Sequence, residues 1–173
     1  TYFYVDEGVL KAVDGVSFAV NPRETLGLIG ESGCGKSVTA LSTLRLVSPP
    51  GKLVGGRILL RLDKGTIDLA QLAGSGREIR SIRGKEISMV FQEPMTSLSP
   101  VHTIGNQIRE AIYLHRTNDR REAQEIALDI LDRVGIANPA QCLKDYPHQL
   151  SGGMRQRAMI AMALCTQPRL LIA

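Results

Sequence analysis

Gly30-Glu31-Ser32-Gly33-Cys34-Gly35-Lys36-Ser37 decides the reading of this chain, because a glycine, four residues and then Gly-Lys-Ser is the spacing of a phosphate loop. Thr25-Leu26-Gly27-Leu28-Ile29 runs apolar into it and reads as a buried strand, and Val38, Leu41 and Leu44 follow at helical spacing. Strand, loop and helix together are the context the pattern requires. Glycines let backbone N–H groups turn inward around a phosphate, the following helix aims its N-terminal dipole at that charge, and Lys36 adds a full cation. Ser37 is then placed to ligate magnesium through its hydroxyl. A bland Gly-rich turn would account for the glycines but not for the flanking strand and helix. The candidate binding residues here are therefore Gly30, Glu31, Ser32, Gly33, Cys34, Gly35, Lys36, Ser37 and Val38. The side chain of Glu31 is expected to point outward, since the cradle is backbone.

Length and composition bound what surrounds the loop. A chain of 173 residues, 43% apolar, buries one respectable core, so one domain or one domain with a subdomain is expected. The composition is that of a soluble globular protein. No run approaches the roughly 18 apolar residues of a membrane span, and no signal peptide is evident, so membrane attachment is expected through a partner. Cys34, Cys142 and Cys165 lack a metal-ligand spacing and fit a reducing, cytosolic compartment as buried or bystander thiols. His102, His115 and His148 are too scattered for a metal cluster. The net charge of +4 is mild, aromatics make up 4%, and no basic run interleaves with them, so nucleic-acid binding gains no support. Both ends read as cut. The chain opens at Thr1 without an initiator Met and stops at Leu170-Leu171-Ile172-Ala173, inside an apolar strand.

In chain order, Tyr2-Phe3-Tyr4-Val5 and Val16-Ser17-Phe18-Ala19-Val20 read as two antiparallel strands around turn signals at Gly8 and Asp14-Gly15. Asn21-Pro22-Arg23 turns into the loop strand. Pro49-Pro50-Gly51 stops the loop helix, and the runs from Arg57 to Leu62 and Thr66 to Leu69, joined by Asp63-Lys64-Gly65, suggest an antiparallel patch. Gly76 to Ile82 is a short charged helix, and Glu86 to Phe91 an apolar strand ending at Gln92. From Ile104 to Val134 the pattern is helical. Ala123, Ile126, Ala127, Ile130, Leu131 and Val134 share a face, Asp119 with Glu122 resembles a capping box, and Gly135 marks the stop. Pro139 to Leu150 is irregular, Ser151 opens a helix to about Thr166, and Leu170 begins a strand.

Leu150-Ser151-Gly152-Gly153-Met154-Arg155-Gln156-Arg157 is the second chemical feature. Ser151 is a natural N-cap, and two glycines in the first helical turn are costly unless something must approach the backbone closely. A second anion site is the functional reading, beside that of an ordinary Ser-capped helix start.

Together these stretches resemble the nucleotide-binding domain of ATP-binding cassette (ABC) transporters, over essentially the whole chain. The phosphate loop matches the family's Walker A motif, Leu150-Ser151-Gly152-Gly153 its signature motif with Met154 in place of the usual glutamine, and Gln92 its Q-loop. Leu170-Leu171-Ile172-Ala173 is similar to the first part of Walker B. The Asp and catalytic Glu that would follow are not in these 173 residues, nor are the family's D-loop and switch His. Ala12-Val13-Asp14-Gly15-Val16-Ser17-Phe18, the wording of the phosphate loop, Phe91-Gln92-Glu93-Pro94-Met95-Thr96-Ser97-Leu98 and Tyr146-Pro147-His148-Gln149 are similar to ATP-binding subunits of dipeptide, oligopeptide and nickel importers. Arg23 stands where the family usually has Gly.

The resemblance implies an α/β fold of the phosphate-loop NTPase type, with an N-terminal antiparallel β patch and an inserted helical subdomain. The expected layout is a nucleotide-binding core at 1–92, a helical subdomain at 93–150, and the signature helix with the start of Walker B at 151–173. It implies ATP and Mg2+ as cofactors, Lys36 and Gln92 in catalysis, and Ser37 and Gln92 at the metal. Phe3 is the expected adenine-stacking aromatic by its offset from Asp14-Gly15, with Tyr2 and Tyr4 close behind. In the family two cassettes bind head to tail, so ATP on the loop of one is capped by Ser151, Gly152 and Gly153 of the other. The implied partners are this second ATPase subunit, transmembrane permease subunits and, indirectly, a solute-binding protein, at the cytoplasmic face of the membrane. The activity implied is ATP hydrolysis coupled to uptake of peptides or a similar small solute. These residues carry the binding half of that machinery without its base, so the isolated stretch is expected to be inactive. The rival readings are a soluble ABC-type ATPase of DNA repair or translation and a non-hydrolysing nucleotide-binding fragment.

Overall fold

The computed structural model describes residues 1–92 and 97–173, in two compact units, Thr1–Arg80 and Ser81–Ala173. The four residues 93–96, within the stretch that follows Gln92, lie outside the described residues.

In the first unit, β1 (Tyr2–Val5) and β2 (Gly8–Lys11) form an antiparallel hairpin with Phe3 opposite Leu10. A short β3 (Gly51–Lys52) takes the other edge of β1, with Phe3 opposite Gly51. Helix α1 (Lys36–Thr43) follows the phosphate loop. It is tied to the start of the chain: Thr1 Oγ1 lies 2.7 Å from Ser42 Oγ, and the Thr1 amino group donates to the Val13 carbonyl at 2.7 Å. A second hairpin pairs β4 (Leu59–Leu62) with β5 (Gly65–Asp68), as the two apolar runs around Asp63-Lys64-Gly65 predict.

Two expectations fail in this unit. Val16–Val20 is not a strand, because the edge of β1 is taken by the nearer residues Gly8–Lys11, whose short turn closes at lower entropic cost. Thr25–Ile29 is not a buried strand either. Among the described residues it joins no ladder, and without a neighbouring strand its side chains stay open to solvent, Ile29 at 96% exposure.

The second unit holds α2's last turn (α2, Arg77–Ile82), then β6 (Ile87–Met89) and β7 (Leu170–Ile172), which pair in parallel with Ile87 opposite Leu170. Arg169 and Leu170 both donate backbone N–H to the Glu86 carbonyl, and the Arg169 guanidinium meets the Glu86 carboxylate at 3.1 Å. Between these strands run α3 (Ile104–His115), α4 (Arg120–Arg133), α5 (Pro139–Cys142) and α6 (Gly152–Leu164). Thr103 caps α3 and Asp119 caps α4, the Asp119 carboxylate accepting from the N–H groups of Arg121 and Glu122. Ile104, Ile108 and Ile112 form one fully buried stripe of α3 at a four-residue spacing. Ala123, Ala127 and Leu131 of α4 and Ala158 and Ala161 of α6 complete the core. Alanines on two facing helices let the backbones approach, while the isoleucines fill the volume that remains, each contributing about 1.5–3 kcal/mol by burial.

Candidate nucleotide-binding site

The candidate phosphate loop lies in the unit Thr1–Arg80. Gly35 caps α1 with φ +95°, a left-handed conformation that glycine adopts without a Cβ penalty, and no side chain caps the helix. A Cβ on Gly35 would also overlap the carbonyl oxygen of Ala12, so the loop and the Ala12-Val13 backbone lie against each other only because this residue is glycine. The first-turn N–H groups of α1, beginning at Lys36 and Ser37, have no acceptor within the helix. Lys36 folds back over the loop, its Nζ donating to the carbonyls of Gly30 at 2.6 Å and Glu31 at 2.7 Å, with Cys34 Sγ 3.5 Å away. These groups are solvent-accessible, and the Glu31 side chain is exposed. Gly30, Ser32, Gly33 and Ser37 are exposed beside this cation. Such an arrangement recognises an anion with several oxygens.

The aromatic candidates sit on β1. Phe3 is half-buried, and its ring edge faces Gly51, where a Cβ would stand 2.6 Å from Phe3 Cε1. Tyr2 donates its hydroxyl to Asp14 at 2.9 Å, a bond that raises the Tyr2 pKa by stabilising the protonated phenol. Tyr4 is exposed, with Lys52 Nζ 5.5 Å from its ring centre.

The remaining candidates lie in the unit Ser81–Ala173. Gln92 is exposed three residues beyond the end of β6. Ser151 is the N-cap of α6, its hydroxyl accepting the Met154 N–H at 3.3 Å, and Gly152 and Gly153 follow with nothing within 4 Å of where their Cβ atoms would be. The helix start is bare backbone open to solvent. Leu150, just before it, is buried and anchors the entry. His148 stacks on Tyr146 at 5.6 Å between ring centres, and Gln149 closes the turn by accepting the Tyr146 N–H at 2.7 Å. Among the described residues no group of His, Cys, Asp and Glu is arranged to hold a metal ion.

With this geometry in hand, the family match is specific: residues 13–173 match the family described as ABC transporter. The chain belongs to the ABC transporter family. It is 53% identical over 174 residues to a probable peptide ABC transporter ATP-binding protein of Sinorhizobium fredii, covering 100% of this chain and 50% of the relative. It is 48% identical over 174 residues to an oligopeptide transport ATP-binding protein of Bacillus subtilis, covering 100% of this chain and 51% of that protein. The chain thus spans about half the length of the curated relatives it matches. Among solved structures it resembles the ATP-binding cassette MJ0796 in a dimer bound to ADP and Pi, with a TM-score of 0.78, 26% identity and coverage of 98% of this chain and 68% of that one. A second dimeric structure of the same cassette gives a TM-score of 0.79. The fold is therefore that of an ABC ATPase cassette, mixing helix and sheet.

Sequence reasoning missed two features of this cassette. One is the contact of Gly35 with Ala12, whose only signal is the third glycine of the loop. The other is Arg157, which reaches α4 across 22 and 23 residues to bond Gly135 and Val134. Nothing in the local pattern around Arg157 announces so distant a partner.

Proposed function

We propose that this chain is the nucleotide-binding part of an ATP-binding subunit of an ABC importer, coupling ATP binding and hydrolysis to uptake of peptides or a similar small solute. The observation that carries it is Lys36, held by the carbonyls of Gly30 and Glu31 over an uncapped helix N-terminus. The peptide class is supported by the relatives, which are named as peptide and oligopeptide transport ATP-binding proteins. ATP as ligand is supported by family membership and by the ADP in the MJ0796 neighbour.

In this reading the phosphate chain lies along the N–H groups of Gly30 to Ser37, and Lys36 exchanges its carbonyl partners for phosphate oxygens. Ser37 would hold magnesium, as would Gln92 in the implied family arrangement, and the ion would supply positive charge for the transferred phosphoryl group. Each donor by its chemistry, an exposed hydroxyl at the first helical turn of α1 and an exposed amide oxygen at Gln92, suits a hard cation that keeps several waters. Phe3 stacks on adenine, and Ser151, Gly152 and Gly153 cap the γ-phosphate held by a second ATPase subunit. The cassette works on the cytoplasmic face of the membrane beside permease subunits, served indirectly by a solute-binding protein. Among the described residues no helix is long and apolar enough to cross a membrane. The working division is a core at 1–92, a helical subdomain at 93–150 and a signature segment at 151–173.

Replacing Ser151 with Arg tests the reading in the full-length protein. Sedimentation with magnesium and a non-hydrolysable ATP analogue should show self-association of the parent and none of Ser151→Arg, while both bind the analogue within a few-fold of each other. A Ser151→Arg variant that associates like the parent defeats the head-to-tail arrangement.

A further inference from the structure

Helix α4 ends in a left-handed closure. Gly135 has φ +80° and donates to the Asp132 carbonyl at 2.8 Å, while Ile136 donates to the Leu131 carbonyl at 3.0 Å. These two bonds use the carbonyls of Leu131 and Asp132, and leave those of Val134 and Gly135 directed past the helix end. Arg157 meets both, its Nη1 donating to Val134 at 3.0 Å and to Gly135 at 2.9 Å. The cation also sits at the negative pole of the α4 dipole. A Cβ on Gly135 would overlap Arg157 Nη1, so the glycine serves both the turn and the bridge.

Arg157 lies in the second turn of α6, six residues after Ser151. Helix α6 buries Ala158, Met159, Ala161 and Ala163, and Met154 and Met162 pack partly buried against the core beside them. Gly152 and Gly153 add no packing at all. Leu150 anchors the entry, and the Arg155 Nε bond to its carbonyl at 3.0 Å fastens the same point. Met154 packs against the core from the first turn, and one turn further on Arg157 adds a polar tie from α6 to the end of α4.

We propose that Arg157 is a positioning residue: by bonding the last carbonyls of α4 it fixes the direction in which the N–H groups after Ser151 are presented. The proposal rests on the reading of Ser151, Gly152 and Gly153 as a phosphate cap across an interface. It is tested in the full-length protein with Arg157→Ala, Arg157→Lys and, as reference, Ser151→Arg. Arg157→Ala should weaken association driven by the ATP analogue by roughly tenfold, the size expected for a lost charge-assisted bond. Analogue binding by the monomer should stay close to the parent while the melting temperature falls by a few degrees, and Arg157→Lys, which keeps the cation, should recover most of the association. Without nucleotide, the Met154 amide should exchange its hydrogen faster in Arg157→Ala than in the parent. Parent-like association of Arg157→Ala, alongside none for Ser151→Arg, overturns the positioning role and leaves the function intact. If Ser151→Arg associates as well, the function reading falls, and Met154 exchange decides for Arg157: an unchanged rate overturns the proposal. Should Arg157→Ala fail to fold, Arg157→Gln takes its place under the same outcomes.

Discussion

Lys36 Nζ lies 2.6 Å from the carbonyl oxygen of Gly30, at the opening of the loop that Lys36 closes. With the Glu31 carbonyl at 2.7 Å, it makes two bonds to neutral acceptors that a phosphate can replace with charge-assisted ones. The cation is therefore already positioned before ligand arrives, which lowers the ordering cost of binding. Replacing Lys36 with Ala should reduce ATP affinity by about a hundredfold, while the exposed position keeps the melting temperature near that of the parent. Calorimetric titration measures the first quantity, and an unchanged affinity rejects the loop as the phosphate site.

Gly35 and Gly152 are both glycines at helix starts, yet they should respond oppositely to Ala. At Gly35 the left-handed backbone and the Ala12 carbonyl both oppose a Cβ, so Gly35→Ala should cost about 1–3 kcal/mol of stability and weaken nucleotide binding. At Gly152 nothing lies within 4 Å of the new atom, and Gly152→Ala should stabilise the helix by about 0.5–1 kcal/mol. Urea titration of both variants gives the comparison. A Gly35→Ala variant as stable as the parent would show that the left-handed turn is not required.

The three aromatics of β1 can be separated by ligand choice. Phe3→Ala should lower ATP affinity about tenfold or more through lost base stacking, and leave inorganic triphosphate affinity unchanged. Because the Phe3 ring faces Gly51, a loss for both ligands would instead report damaged packing of the strand. An ATP-specific loss in Tyr4→Ala with none in Phe3→Ala moves the stacking role to Tyr4.

What was legible in the sequence is what local rules determine. Helices α4 and α6 follow from caps and four-residue spacing, Asp119, Gly135 and Ser151 each occupying the terminus its chemistry favours, whereas α5, capped by Asn138, lies in a stretch that reads as irregular because it is a single turn. The hairpin around Asp63-Lys64-Gly65 and the strand at Leu170 were readable for the same reason. Strand partners were not. Val16–Val20 has strand-forming residues, but pairing depends on which segment reaches the edge of β1 first at low entropy, and Gly8–Lys11 does. The role of β3 was hidden too, since Pro49-Pro50-Gly51 reads as a stop and only its contact with Phe3 makes Gly51 part of a sheet. In the site, the loop residues were legible because their spacing is the chemistry. The long-range partners, the Ala12 carbonyl beneath Gly35 and the Val134 and Gly135 carbonyls bonded by Arg157, come from remote sequence that no local rule connects.

The thiols give a prediction independent of nucleotide. Cys142 and Cys165 are buried among the helices of the second unit, and burial pushes each thiol up from 9.0 to about 11 because the thiolate loses its hydration. Cys34 is exposed in the phosphate loop. Since the thiolate is the nucleophile, iodoacetamide at pH 8 should modify Cys34 first and reach the other two only on unfolding. The same burial links stability to pH. Below about 9 both thiols are neutral in the folded and unfolded chain, so their contribution is fully present. As pH climbs from about 9 to about 11 the unfolded chain releases these protons and the folded one retains them, so stability falls across that window. The comparison that isolates the thiols is parent against the double variant Cys142→Ala, Cys165→Ala. Urea midpoints at pH 8 and pH 10.5 should drop further in the parent than in the double variant; equal drops would show that the buried thiols do not resist ionisation in the fold.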